Sequence, residues 1–372
     1  MSDTADAVIV GAGIVGAACA EALSRDGWRV VVVESGAIGA GATAAGMGHI
    51  VLMDDSGEQF ALTRYSRDLW IELAPSLPPE VEYERCGTLW VAADDEEMAA
   101  VRDKHAYYSA RGVPSEVLDA PALAASEPNL RPGLAGALLV PDDSVIYAPC
   151  AAAWMIEQAR LRGARVRLGV PVTEIGSRGV ALADSTRIDA AVTICATGTS
   201  ATAVFPEVPI RPRKGHLAIT DRYPGFIRHQ LVELGYLKSA HGHSNESVAF
   251  NAQPRKTGQV LIGSSRQYGV THSAIDLPIL GRMLARAIEY MPGLARLSVI
   301  RTWTGFRAAT EDKLPVVGPC PGRDGVYLAT GHEGLGITTS LGTARLIADM
   351  IAGRRPAIDP APYLPVRMAA HA

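Results

Sequence analysis

Apolar runs long enough to cross a bilayer are missing from this chain. The stretch from Ala7 to Ala20 is too short and too broken by glycine, and no other segment reaches the ~20 residues a spanning helix needs. A basic leader is missing as well: residues 1–6 carry Asp3 and Asp6 where an export signal carries Lys or Arg, so no export is expected. Cysteine is sparse. The five cysteines, Cys19, Cys86, Cys150, Cys195 and Cys320, are odd in number, scattered and never arranged as CxxC. That argues for a reducing compartment and against a metal cluster. Cys19 and Cys195 lie in apolar segments and read as small buried hydrophobes. Neither sign of charge dominates. With 35 basic and 39 acidic residues the net charge is -4, which leaves no broad electrostatic footprint for nucleic acid. These absences predict a soluble, cytoplasmic protein, with a peripheral contact at the inner face of a membrane still compatible.

What is present is apolar and rich in glycine: 48% of 372 residues are hydrophobic and 37 are glycine. A chain of this length exceeds a single hydrophobic core, and two domains are expected. Its most informative feature is the run Ala7-Val8-Ile9-Val10, then Gly11, Gly13 and Gly16, then a helical pattern from Ile14 to Leu23, then Val30-Val31-Val32-Val33 closed by Glu34. Strand, glycine turn, helix, strand and terminal acid occur in the order of a dinucleotide-binding fingerprint. The first glycine permits the turn, the second lets backbone approach a pyrophosphate, and the third lets helix pack on strand. The helix N-terminus offers free N–H groups to the anion. Glu34 is placed to accept the adenosine ribose hydroxyls and disfavours a 2'-phosphate.

Residues 36–48, GAIGAGATAAGMG, lack the bulk of ordinary core and let backbone approach something flat, with Thr43 at a helix start. Helices are predicted over Leu62–Leu73, Glu96–Arg111, Ala148–Arg162, Leu277–Tyr290 and Gly336–Ile351, and strands within Val81–Ala92, Gly136–Val140, Arg165–Leu168, Val172–Ile175, Ile188–Gly198 and Gly325–Gly331. The segment before Pro132 reads as irregular. Alternation in Leu217-Ala218-Ile219, Ser247-Val248-Ala249-Phe250 and Gln259-Val260-Leu261-Ile262 predicts an antiparallel sheet. Proline-dense Pro206–Pro212 marks a domain crossing. The expected fold is α/β, a Rossmann-like cofactor domain (1–81, 144–207, 306–356) interleaved with a second α+β substrate domain carrying the antiparallel sheet (82–143, 208–305), then a tail over 357–372.

Together, GAGIVG at 11–16, ESGAIGAGATAAGMG at 34–48, ATG at 196–198, WTGFRAATEDKLPVVGP at 303–319 and GHEGLGITTSLGTA at 331–344 resemble the D-amino-acid oxidase superfamily, in its glycine and sarcosine oxidase branch. The wording of the last segment is most similar to the flavin β-subunits of heteromeric D-hydroxyproline, proline and opine dehydrogenases and to the related hydrogen cyanide synthase subunit. The resemblance implies FAD, held by Gly11, Gly13, Ile14, Val15, Gly16, Glu34, Ser35, Gly41, Ala42, Thr43, Gly46, Met47, Val172, Ala196, Thr197, Gly198, Gly331, Gly334, Leu335, Gly336, Ile337 and Thr338. It places the turn Gly334–Thr338 at the pyrimidine end of the flavin, where a helix dipole can stabilise developing negative charge. The segment Trp303–Pro319 has no cysteine to attach a flavin, so non-covalent FAD is expected.

The resemblance also implies that Arg307, the arginine of its GFR segment, grips the substrate carboxylate, which a guanidinium can do bidentately. Tyr236 is a candidate for the substrate carboxylate or ring substituent and equally an ordinary amphipathic tyrosine. His49 is a candidate flavin neighbour, and His332 serves its turn through backbone. His241 and His243, without a third ligand, make no metal site. The implied chemistry is oxidation of the Cα–N bond of a small amino acid by hydride transfer to flavin N5, of D-hydroxyproline or proline type, with partner subunits supplying any iron-sulfur centre. The alternatives are a glycine or sarcosine oxidase using dioxygen, a flavin electron-relay subunit with a degenerate substrate site, and a plain NAD-dependent dehydrogenase.

Overall fold

The computed structural model of the chain describes residues 3–235 and 246–370. It divides into two compact units: residues 1–81, 147–212 and 306–372 form the first, residues 82–146 and 213–305 the second. In this division the chain returns to the first unit at 147 and leaves it after 212. Two short 3-10 turns, Ala361–Tyr363 and Pro365–Ala370, lie near the end of the described residues. Tyr363 donates its hydroxyl hydrogen bond to the Glu58 carbonyl at 2.6 Å, and Arg367 pairs with Asp312 at 2.6 Å, which ties them to the first unit.

The first unit is built on Asp3–Val10. Val8 and Ile9 are fully buried, as expected of a strand covered on both faces. It runs parallel to Val30–Glu34 on one side, with Ala7 opposite Val30 and Val10 opposite Val33, and to Arg187–Cys195 on the other. The sheet extends through Val326–Thr330 to Val316–Pro319 at one edge and Arg165–Leu168 at the other. Each buried valine of Val30–Val33 contributes about 1.5–3 kcal/mol. A hairpin strand, Gly179–Leu182, pairs antiparallel with both Arg187–Cys195 and Val172–Gly176, and the sequence reading did not foresee it. The helix Ile14–Arg25 follows the glycine turn and packs against Ala148–Leu161 and Gly336–Ile351. Its run of Gly16, Ala17, Ala18 and Ala20, all buried, is what permits three helices to lie so close.

The second unit carries one eight-stranded sheet. Its pairs from Arg211–Arg222 through Gln259–Gln267 and Glu246–Pro254 to Gln230–Glu233, and from Thr88–Ala92 through Gly136–Val140 to Glu116–Asp119, are antiparallel as expected, and Gln230–Glu233 runs parallel to Thr88–Ala92. The strand expected within Val81–Ala92 is Thr88–Ala92, and the stretch read as irregular contains the strand Glu116–Asp119 and the helix Ala120–Ser126. One face of the sheet buries Leu89, Val91, Leu231, Phe250 and Ile262 against the helix Leu277–Tyr290, and Tyr290 stacks on Phe250 with ring centroids 4.7 Å apart. By the two-residue alternation of strands, Thr88, Trp90, Gln230 and Asn251 lie on the opposite face. All four are buried, and Thr88 Oγ1, Trp90 Nε1, Gln230 Oε1 and Asn251 Oδ1 have no hydrogen-bond partner among the described residues.

Candidate functional site

All the cofactor candidates named above, with Arg307 and His49, fall in the first unit. The glycine turn shows why each glycine is there. A Cβ on Gly11 would sit 2.6 Å from the Ala196 carbonyl oxygen, and one on Gly16 would collide with the Gly11 carbonyl. These two are demanded by the protein's own packing. Gly13 differs: a Cβ there would meet only the Thr43 hydroxyl, at 3.2 Å, so its outer side is open for a ligand.

At the end of its strand, Glu34 accepts from the Ala12 N–H at 2.8 Å through Oε2 and from the Gly36 N–H at 2.7 Å through Oε1. Ser35 Oγ adds a bond at 3.3 Å. The carboxylate is thereby oriented, and a carboxylate has further lone pairs for ribose hydroxyls. Thr43 does something other than start its own short helix, Ala42–Ala45. Its hydroxyl accepts the Ile14 N–H at 3.0 Å and so caps the fingerprint helix from 29 residues downstream. Gly41 and Ala42 are exposed, with open space around Gly41, and Met47 is half-buried. Gly39 answers to packing instead, because a Cβ there would lie 2.9 Å from Pro149. Val172 begins its strand packed on the apolar cluster containing Val8, Val31 and Ile188.

The second helix start closes on the first. Gly336 lies near Val15, whose Cγ2 would be 3.8 Å from a Cβ at 336. Neither the helix from Ile14 nor the helix from Gly336 has an acid in its first turn, so both positive ends are left for an anion or a reduced ring. Ile337 abuts Gly46, leaving 3.0 Å for any Cβ there. Thr338 donates to the His49 carbonyl at 3.0 Å and accepts the Val51 N–H at 3.3 Å. Gly198 accepts from Thr330 at 2.9 Å, which joins the Ala196-Thr197-Gly198 turn to the strand leading into Gly331.

Arg307, half-buried on the strand Val299–Ala309, lies against Gly334. A Cβ at 334 would stand 3.1 Å from Arg307 Cδ and 3.3 Å from Nε, so glycine at 334 makes the room for this arginine. Leu335 donates its N–H to the His332 carbonyl at 2.8 Å, as the backbone reading of His332 expects. The His332 ring does more than that reading anticipated: Nε2 bonds Thr343 Oγ1 at 3.0 Å, and burial pushes the imidazole down to about 4, so it is neutral. Tyr236, His241 and His243 lie outside the described residues.

Two contributors had no signal in the sequence. Trp70, fully buried, donates Nε1–H to the Ile337 carbonyl at 3.1 Å, and Ser66 accepts the Gly342 N–H at 2.9 Å. Both partners are more than 250 residues away along the chain. The open side of Gly13, the oriented Glu34 and two helix starts with no acid in their first turns fit an FAD. No group of His, Cys, Asp and Glu suited to a metal occurs among the described residues.

Comparison with known proteins gives the same picture. The family described as FAD dependent oxidoreductase matches residues 6–350. The glycine oxidase of Pseudomonas aeruginosa is 28% identical, over 96% of this chain and 98% of its own length, and the hydrogen cyanide synthase subunit HcnC of the same organism is 26% identical, over 99% and 97%. The crystal structure of glycine oxidase from Geobacillus kaustophilus superposes with a TM-score of 0.88 at 25% identity, covering 98% of both chains. The L-proline dehydrogenase of P. horikoshii, at 21% identity and a TM-score of 0.90 over 100% of this chain and 99% of its own, shares the fold.

Proposed function

The chain belongs to the family of FAD dependent oxidoreductases, and from that premise we propose that it oxidises the Cα–N bond of a small amino acid, with Arg307 orienting the substrate by its carboxylate. FAD, not a nicotinamide, supplies the two-electron acceptor. The observation that carries the reading is the placement of Arg307 on Gly334, in the turn that opens the second helix start. A guanidinium there can take a carboxylate bidentately and fix its plane as well as its position. Gly11, Gly13, Gly16 and Thr43 would hold the pyrophosphate side, Glu34 the ribose, and Gly334–Thr338 the ring end. Tyr236 stays a candidate second contact to the carboxylate.

Within this class we favour a proline- or hydroxyproline-type dehydrogenase working with partner subunits, on the wording of residues 331–344. The second reading is a glycine oxidase, favoured by full-length similarity to proteins of that name. One panel separates them: D- and L-proline, their hydroxylated forms, glycine and sarcosine, each assayed with an artificial dye and with dioxygen. Turnover of cyclic amino acids with the dye alone supports the first reading, and turnover of glycine with dioxygen the second. Arg307→Met should raise KM about 100-fold or more, the value of a lost charge-assisted pair, with FAD content unchanged. An unchanged KM refutes the assignment.

A further inference from the structure

We infer that the second unit docks an acidic, extended segment of a partner protein, which adds itself to a free sheet edge at residues 299–303 and seats one apolar side chain in a pocket beside that edge. Val299–Ala309 is the last strand of its sheet, so its outer row of N–H and C=O groups pairs with no strand among the described residues. The first residues of this edge face solvent, with Val299 43% and Ile300 56% exposed. The opposite edge of the same sheet, Glu116–Asp119, begins and ends on an exposed acid, the ordinary way of discouraging strand addition. An apolar edge left open is a template for another chain.

The pocket lies where this strand starts. Leu284 and Ile288 of the helix Leu277–Tyr290, Leu294 and Leu297 of the segment after it, and Val299 line a recess of about 170 Å³. Thr220 also lines it, but its hydroxyl is already engaged, donating to the Asp221 carbonyl at 2.7 Å and accepting the Val260 N–H at 3.0 Å. An apolar cavity of about 150 Å³ stays dry and takes a benzene-sized guest, so the recess suits one leucine or phenylalanine side chain. Charge sets what flanks that side chain. Arg222, Arg296 and Arg301 are exposed, and none of them forms a salt bridge among the described residues. Arg296 stands between Ala295 and Leu297, both in the pocket wall. Arg301 shares a strand face with Val299, and its guanidinium lies 5.2 Å from the Trp303 ring centroid. Arg222 is held beside the strand's start, because the Asp221 N–H donates to the Ser298 carbonyl at 2.8 Å and the Ser298 N–H to Tyr223 Oη at 3.0 Å. One acid, Asp221, stands among them and accepts the Arg222 N–H at 2.8 Å. The surplus positive charge is complemented by carboxylates on the partner. A second copy of this chain would set the same arginines against one another across a twofold axis. Lipid would leave the outer backbone groups of the strand without hydrogen bonds. An extended acidic segment satisfies edge, pocket and arginines together.

The test is fluorescence anisotropy on purified holoenzyme with a library of capped octapeptides carrying Val, Leu, Ile or Phe at the central positions and Glu or Asp at both ends, beside a matched library with Lys at the ends. The best acidic members should bind about tenfold or more tightly than their lysine counterparts. Methylating alternate backbone nitrogens of those peptides should weaken binding by about tenfold, since it removes the bonds to the strand edge. Ala295→Trp, which fills the pocket, should abolish binding, and the double variant Arg296→Glu with Arg301→Glu should reverse the preference between the libraries. Both variants should keep the wild-type FAD content, melting temperature and amino-acid turnover, which separates lost docking from lost fold. Equal binding of the two libraries, no binding by any acidic member, or binding indifferent to backbone methylation or to Ala295→Trp overturns the proposal. Co-sedimentation with phosphatidylglycerol vesicles, or a dimer in analytical ultracentrifugation, that is lost in Ile300→Asp assigns the surface to lipid or to a second copy and overturns it as well.

Discussion

At the scale of single residues, the three fingerprint glycines separate into two kinds with different consequences. Gly16→Ala puts a methyl onto the Gly11 carbonyl and should destabilise the apoprotein by about 3 kcal/mol or more, visible in its denaturation midpoint. Gly13→Val should leave a folded protein that purifies without FAD, since its outer side is the open approach. Yellow, fully loaded Gly13→Val protein would contradict the placement of the pyrophosphate.

His332 makes a separate claim about pH. Its native pKa near 4 lies below the ordinary 6.5, so the unfolded chain binds the proton first. The contribution is fully present above pH 6.5 and is lost as pH falls toward 4, about 3 kcal/mol across the interval. Urea midpoints of His332→Gln should fall less steeply with acid than those of wild type over that window. Equal slopes would show that the ring is not buried neutral. Of the residues, those that work through glycine geometry or a terminal acid were legible in the sequence, because backbone approach restricts residue type. Trp70 and the His332 ring were not: their hydrogen bonds depend on which distant backbone or hydroxyl the fold brings alongside.

At the scale of elements, strong periodicity carried the reading well. Gly136–Val140, Leu277–Tyr290 and Gly336–Ile351 have the predicted bounds, since each pairs a clear apolar pattern with a Gly, Asp or Pro at its start. Gln230–Glu233 escaped because four residues hold too little alternation to register, and its pairing with Thr88–Ala92 is set by chain far away. The same non-locality governs the fingerprint helix, whose N-terminus is capped by Thr43 from the small-residue run. Thr43→Val should cost about 1–2 kcal/mol in stability and weaken FAD binding, with Thr43→Ser restoring both. If Thr43→Val matches wild type in melting temperature and FAD affinity, the cap carries no weight.

At the scale of the whole molecule, interleaving follows from the sequence: the first unit is assembled from three separated stretches and the second from two. A cofactor that bridges the segments of the first unit should stabilise it, by about 2.7 kcal/mol at a hundredfold excess over Kd. Acid precipitation should release the flavin into the supernatant, because Trp303–Pro319 offers no cysteine to bind it. Colour retained in the pellet would show a covalent link elsewhere.

Arg307 presenting an amino acid to the bound flavin for oxidation is the function on which the other roles depend. Anaerobic addition of the amino-acid panel to purified holoenzyme tests it in one experiment. Bleaching of the visible flavin absorption by at least one amino acid in wild type, and its loss in Arg307→Met with bound FAD intact, is the predicted result. Absorption untouched by every member of the panel, or equal bleaching in the variant, would contradict it.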